Sequence, residues 1–65
     1  MEIEVEMKGR KEKIKIPDGS TGEDLLKKLG FSPDEVIIIM NNTPIPYNEQ
    51  LKEGKIKLIR VASGG

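Results

Sequence analysis

The chain has no cysteine, no histidine and no tryptophan. Without cysteine, no disulfide can staple the fold and no thiolate can serve as nucleophile or metal ligand. Without histidine, the usual neutral-pH general base and the commonest transition-metal ligand are both missing. Phe31 and Tyr47 are the only aromatics, too few for a base-stacking platform. Charge of one sign is also lacking, because eleven basic and eleven acidic residues cancel. A nucleic-acid backbone calls for a basic excess, so no direct nucleic-acid partner is expected. No secretory leader or membrane-spanning run is visible, and a cytoplasmic location is expected. A chain of 65 residues is one domain. One this short buries only about 60% of the surface that its unfolded form exposes, which leaves little room for an enclosed active site. These absences point away from an enzyme and toward a binding or carrier module, monomeric on its own, with no bound metal or cofactor.

What is present is strongly patterned. In "IEVEMKGRKEKIKI", Ile3, Val5 and Met7 alternate with Glu2, Glu4 and Glu6, and Ile14 and Ile16 alternate with Lys13 and Lys15. Period-two alternation marks half-buried strands. A two-residue turn at Gly9-Arg10, with glycine in its first central position, suits a type II′ hairpin. That turn sets Val5 opposite Ile14, Ile3 opposite Ile16, Glu6 opposite Lys13 and Glu4 opposite Lys15. The charged rows read as a solvated face.

Pro17-Asp18-Gly19 ends the second strand. In "STGEDLLKKLG", Ser20 with Glu23 and Thr21 with Asp24 both have capping-box spacing. Leu25, Leu26 and Leu29 form the apolar stripe, Lys27 and Lys28 suit the negative end of the helix dipole, and Gly30 is a left-handed stop. "SPDEV" gives a short capped turn and "VIIIM" a buried strand. Asn41-Asn42 reads as a tight turn, and "TPIP" as a short peripheral strand, because Pro44 and Pro46 cannot donate to a ladder. "YNEQLKEG" is a loop with room for one helical turn, anchored by Leu51, and "KIKLIRV" is the last strand. The order is strand, strand, helix, strand, short strand, strand, an α+β arrangement.

The segment "EVIIIMNNTPIPYNEQLKEGKIKLIRVASGG" resembles the C-terminal half of the ThiS/MoaD family of sulfur-carrier proteins, and "DGSTGEDLLKKLG" resembles the helix of the same family. The resemblance runs from Asp18 to Gly65. Asn42 departs from it by standing where a turn glycine is usual, and Lys55 follows Gly54 where an acidic residue is common. The resemblance implies a ubiquitin-like β-grasp, a mixed sheet of four to five strands packed on one helix. It would occupy residues 1–61, with residues 62–65 as a Gly-Gly tail. It also implies the chemistry. A ubiquitin-activating-type adenylating enzyme, using ATP and Mg²⁺, would activate the Gly65 carboxylate. A sulfur donor would convert it to a thiocarboxylate, and an acceptor synthase or tRNA-thiolating enzyme would take the sulfur. Thiamine thiazole, molybdopterin and thiolated tRNA stay open as destinations. Archaeal proteins similar to this chain can also be attached to other proteins through the same terminus.

The tail has a physical rationale of its own. A carboxylate that must react inside another protein's site needs a thin approach, and glycine lets backbone come close to a ligand. Gly64 and Gly65 would enter a narrow channel, with the small Ala62 and Ser63 behind them. The body of the domain would supply the binding surface. Val36, Ile38 and Met40 are expected to point inward with Ile56 and Leu58. Ile37, Ile39, Ile59 and Val61 would then lie outward as a docking face, unless residues 43–50 cover them. Two other functions fit the same chain: a protein modifier conjugated to lysines through Gly65, and a β-grasp interaction domain whose terminus does not react. A self-contained ATP-binding enzyme does not fit, because no helix follows Gly64-Gly65 to make a phosphate loop.

Overall fold

The computed structural model describes residues 1–61; residues 62–65, and with them every expectation placed on Ala62, Ser63, Gly64 and Gly65, lie outside the described residues. Five strands and one helix follow in the expected order. They are β1 (Glu2–Met7), β2 (Arg10–Lys15), α1 (Gly22–Leu29), β3 (Val36–Met40), β4 (Thr43–Ile45) and β5 (Gly54–Arg60). The sheet order is β2-β1-β5-β3-β4. β1 and β5 run parallel at its centre, and every other neighbouring pair is antiparallel. This is the mixed sheet over one helix of a β-grasp.

Period-two alternation builds the core. Ile3, Val5, Ile14, Ile56, Leu58, Val36 and Ile38 are buried on one face of the sheet and cluster with Leu25 and Leu26 of the helix. Leu29 packs at the edge of this cluster and is only partly buried. Fully burying one leucine or isoleucine contributes about 1.5–3 kcal/mol, so this cluster supplies most of what holds so short a chain together.

The hairpin differs from the sequence expectation. Ile3 pairs with Ile14, Val5 with Glu12, Met7 with Arg10, and Glu2, Glu4 and Glu6 with Lys15, Lys13 and Lys11. The turn is Lys8-Gly9 and not Gly9-Arg10. Both of its residues have positive φ, 51° and 78°, the type I′ geometry whose twist matches the strands. The shift is by two residues, so every side chain keeps its expected face. Three glutamate–lysine oppositions form, where the other register would set Lys8 against Lys11 beside the turn, and like charges opposite one another are unfavourable.

The helix is bounded as the sequence indicates. Thr21 caps it: the Asp24 N–H donates to Thr21 Oγ1 at 3.3 Å, and the Thr21 N–H donates to Asp24 Oδ2 at 2.9 Å. The Thr21 backbone N–H, then its hydroxyl, hold the exposed Asp24 carboxyl below the usual aspartate value. Gly30 ends the helix at φ 84°, and the Phe31 N–H reaches back to the Leu26 carbonyl at 2.8 Å.

Residues 46–51 form turns with no helix, correcting that part of the reading. They are tied to the start of α1 through backbone bonds. The Glu23 N–H donates to Tyr47 O at 2.7 Å, the Gly22 N–H to Glu49 O at 3.1 Å, and the Leu51 N–H to Ser20 O at 2.8 Å. This explains Gly22, which sequence reasoning passed over. A Cβ at that position would stand 2.5 Å from Ile38 Cδ1 and 3.0 Å from the Tyr47 carbonyl oxygen. Ile38 is buried and the carbonyl is backbone held by a hydrogen bond, so neither can yield cheaply. Gly22→Ala is therefore expected to destabilise the fold by about 1–3 kcal/mol despite alanine's better helix propensity. Urea unfolding measures this, and a variant as stable as the parent would show that the loop relaxes freely.

Candidate functional site

The face of the sheet away from the helix carries the outward residues of each strand. On its charged half, Lys11, Lys13 and Lys15 of β2 stand beside Glu6, Glu4 and Glu2 of β1, and Lys55 and Lys57 of β5 follow next to Glu4 and Glu6. On the other half the character changes. Ile37 of β3 pairs directly with Ile59 of β5. Each is 40% exposed, and Val61, just past the end of β5, is 41% exposed. The Val61 N–H donates to Glu35 O at 2.7 Å, so the backbone ladder extends past Arg60 to Val61.

Three of the outward residues expected from the sequence, Ile37, Ile59 and Val61, thus lie together and open. Residues 46–51 are held at the start of the helix, on the opposite side of the sheet, and do not cover them. Ile39 is a partial exception. It points to the same face but is partly buried, lying opposite Lys57 on one side and Pro44 on the other. It lines a concavity together with Glu4, Glu6, Asn41, Asn42, Lys55, Ile56 and Lys57. The concavity lies between strands and is lined mainly by charged and amide side chains.

What this arrangement offers is contact, not acid–base chemistry. An exposed isoleucine pair next to an exposed valine, with the lysines of β5 beginning at Lys57, is the kind of patch that marks a protein interface. Its position matters as much as its composition. β5 contributes the patch residue Ile59, and Val61 follows directly after the strand, so the patch lies next to the last described residue of the chain. Among the described residues no three acidic side chains converge as a metal site, and no helix is long and apolar enough to cross a membrane.

A family model described as small archaeal modifier protein 2 matches residues 1–62. An uncharacterized protein of Archaeoglobus fulgidus is 31% identical over 64 residues, covering 98% of this chain and 81% of the relative. The small archaeal modifier protein 2 of Haloferax volcanii is 27% identical over 66 residues, covering 100% of both chains.

Proposed function

The chain belongs to the small archaeal modifier protein 2 family, and from that premise we propose that it works as a carried acyl group: a substrate protein whose Gly65 carboxylate is activated by a separate adenylating enzyme. The observation that carries this reading is the open Ile37–Ile59 pair beside Val61, on the strand that leads into residues 62–65. The enzyme docks on this face and receives Ala62, Ser63, Gly64 and Gly65 in its site, where it holds ATP and Mg²⁺. A Gly65 carboxylate oxygen attacks the α-phosphorus and pyrophosphate leaves, giving an acyl-adenylate. A hydrosulfide equivalent from a sulfur donor then attacks the acyl carbon and AMP leaves. The product is a thiocarboxylate, a better nucleophile than the carboxylate it replaces. It passes sulfur to an acceptor in thiamine, molybdopterin or tRNA thiolation chemistry. The chain itself provides no catalytic side chain; it provides recognition and a thin approach.

A second outcome shares the first step. The description of the family and of the Haloferax relative as a modifier favours it. Here a lysine amine of a target protein attacks the same acyl-adenylate, AMP leaves, and an isopeptide bond to Gly65 forms. One experiment separates the two. The chain is incubated with an adenylating enzyme of its own organism, ATP, Mg²⁺, a sulfur donor and lysine-bearing target proteins of that organism, and intact masses are read. One oxygen replaced by sulfur at Gly65 is expected for the carrier. A mass equal to target plus chain minus water marks the modifier. Failure to form any AMP-linked or downstream product would overturn both.

A further inference from the structure

β2 is one edge of the sheet, and among the described residues no strand pairs with its outer side. The hydrogen-bonding phase of that edge is fixed by its last pair. The Ile16 N–H donates to Met1 O at 2.9 Å and the Met1 nitrogen donates to Ile16 O at 2.7 Å. In an antiparallel ladder the residues that exchange such bonds alternate with residues whose N–H and C=O point the other way. Counting back from Ile16, the inward-bonding residues are Ile14, Glu12 and Arg10. The residues presenting free backbone groups to the open edge are therefore Lys11, Lys13 and Lys15, and their side chains are exposed on the outer face.

The inner face beside this edge is also open. The helix stops at Leu29, and the observed hairpin register puts Glu12, not Ile14, opposite Val5 and Arg10 opposite Met7. A groove remains there, with Val5, Met7, Leu29, Phe31 and Leu58 as its apolar walls and Lys8, Arg10 and Glu12 lining its β2 side and the turn. A groove with apolar walls and a charged rim thus adjoins an unpaired edge of three lysines.

We propose that the β2 edge binds an extended segment of another protein in which acidic and apolar residues alternate. The segment adds as a sixth strand. Its backbone pairs with Lys11, Lys13 and Lys15, its acidic side chains lie on the outer face beside those lysines, and its apolar side chains fill the groove. β-Strand addition takes affinity from backbone bonds and specificity from alternate side chains, and the outer face of this edge is a row of three exposed lysines. A second copy of this chain is the wrong occupant, because two β2 edges would set lysine rows against each other. The site lies two strands from the Ile37–Ile59 pair, so it does not depend on the function proposed above.

The probe is a capped octapeptide of alternating valine and glutamate, titrated into the full chain while backbone amides and methyl groups are followed by NMR. Saturable shifts are expected at the amides of Lys11, Lys13 and Lys15 and at the methyls of Leu29, with binding weakened by added salt. A valine–lysine octapeptide and a glycine–glutamate octapeptide are each expected to bind at least about tenfold more weakly, the first for charge and the second for want of groove contacts. Lys13→Pro removes an edge N–H without removing a ladder bond and is expected to weaken the valine–glutamate peptide similarly; if it fails to fold, the three peptides on the native chain decide. Equal binding of the glycine–glutamate peptide, shifts confined to the Ile37–Ile59 face, or no saturable shift would each overturn the proposal.

Discussion

Deleting Gly65 is expected to abolish ATP-dependent activation while leaving the melting temperature unchanged. The core consists of residues between Ile3 and Leu58, and residues beyond the last strand of a domain usually contribute little to its stability. Activation is different in kind. The reacting carboxylate would sit one residue short of the α-phosphate, and a misplacement of about 1 Å can already cost 10²-fold in rate. Pyrophosphate exchange measures this step directly, and a loss of at least about 100-fold is expected on that ground. Gly65→Ala is expected to bind the enzyme normally and to activate slowly, because a methyl group must enter a channel that accepts glycine. A deletion variant that still exchanges pyrophosphate at the parental rate would remove Gly65 from the mechanism and favour an interaction domain with an unreactive end.

The next largest effect is expected from the docking face. Replacing both Ile37 and Ile59 by threonine keeps β-branched side chains in both strands, so strand propensity is preserved. Each isoleucine is 40% exposed, and exposed substitutions usually shift stability by within about 0.5 kcal/mol. Binding is another matter. Residues at the centre of an interface can each contribute about 2 kcal/mol or more, so the double variant is expected to bind the adenylating enzyme at least about 100-fold more weakly. Calorimetric titration against the enzyme, alongside thermal unfolding, separates the two effects. Parental affinity would place the docking face elsewhere. Ile39 is a poorer probe than its sequence position suggests. It is partly buried between Lys57 and Pro44, so an aspartate there would perturb the concavity as well as the surface.

Local signals in the sequence were reliable where the chemistry is local. The Gly30 stop, the Asn41-Asn42 turn and the alternation of β1 each depend on neighbours within a few residues, and the structure has them as read; of the two capping boxes the sequence offers, it forms Thr21–Asp24. The hairpin register was harder because Gly9 suits either central position of a two-residue turn. As the first it makes type II′ with Arg10; as the second it makes type I′ with Lys8. The apolar pairing of Val5 with Ile14 favoured the former. The deciding signal was also in the sequence, in the lysine opposed to lysine that the former creates, but it weighs little until the turn is considered with its flanks. Gly22 was illegible for a different reason. Its cause is a backbone approach from Tyr47, far along the chain, which no local pattern encodes. The docking face lay between these cases. Alternation gave the outward direction of Ile37 and Ile59, but whether residues 43–50 covered them depended on backbone bonds to the start of the helix.

The parallel pairing of β1 with β5 has a consequence for biogenesis. Ile3 is paired with Gly54 and Glu6 with Lys57, so the centre of the sheet joins the first-made strand to the last-made one. Contacts of such sequence separation slow folding, because the loop must close before they repay the entropy lost. A nascent chain still on the ribosome can form the β1–β2 hairpin and attempt the helix. It has no central strand until residues 54–60 emerge, and it leaves the inner edge of β1 unpaired until then. A product terminated before Gly54 cannot build this sheet, and chains that expose unpaired edges are prone to aggregate and to be cleared. Synthesis thus orders events in a useful way: the domain completes itself only when the strand that leads to residues 62–65 has been made, so folded molecules that could compete for the activating enzyme are molecules that carry that strand.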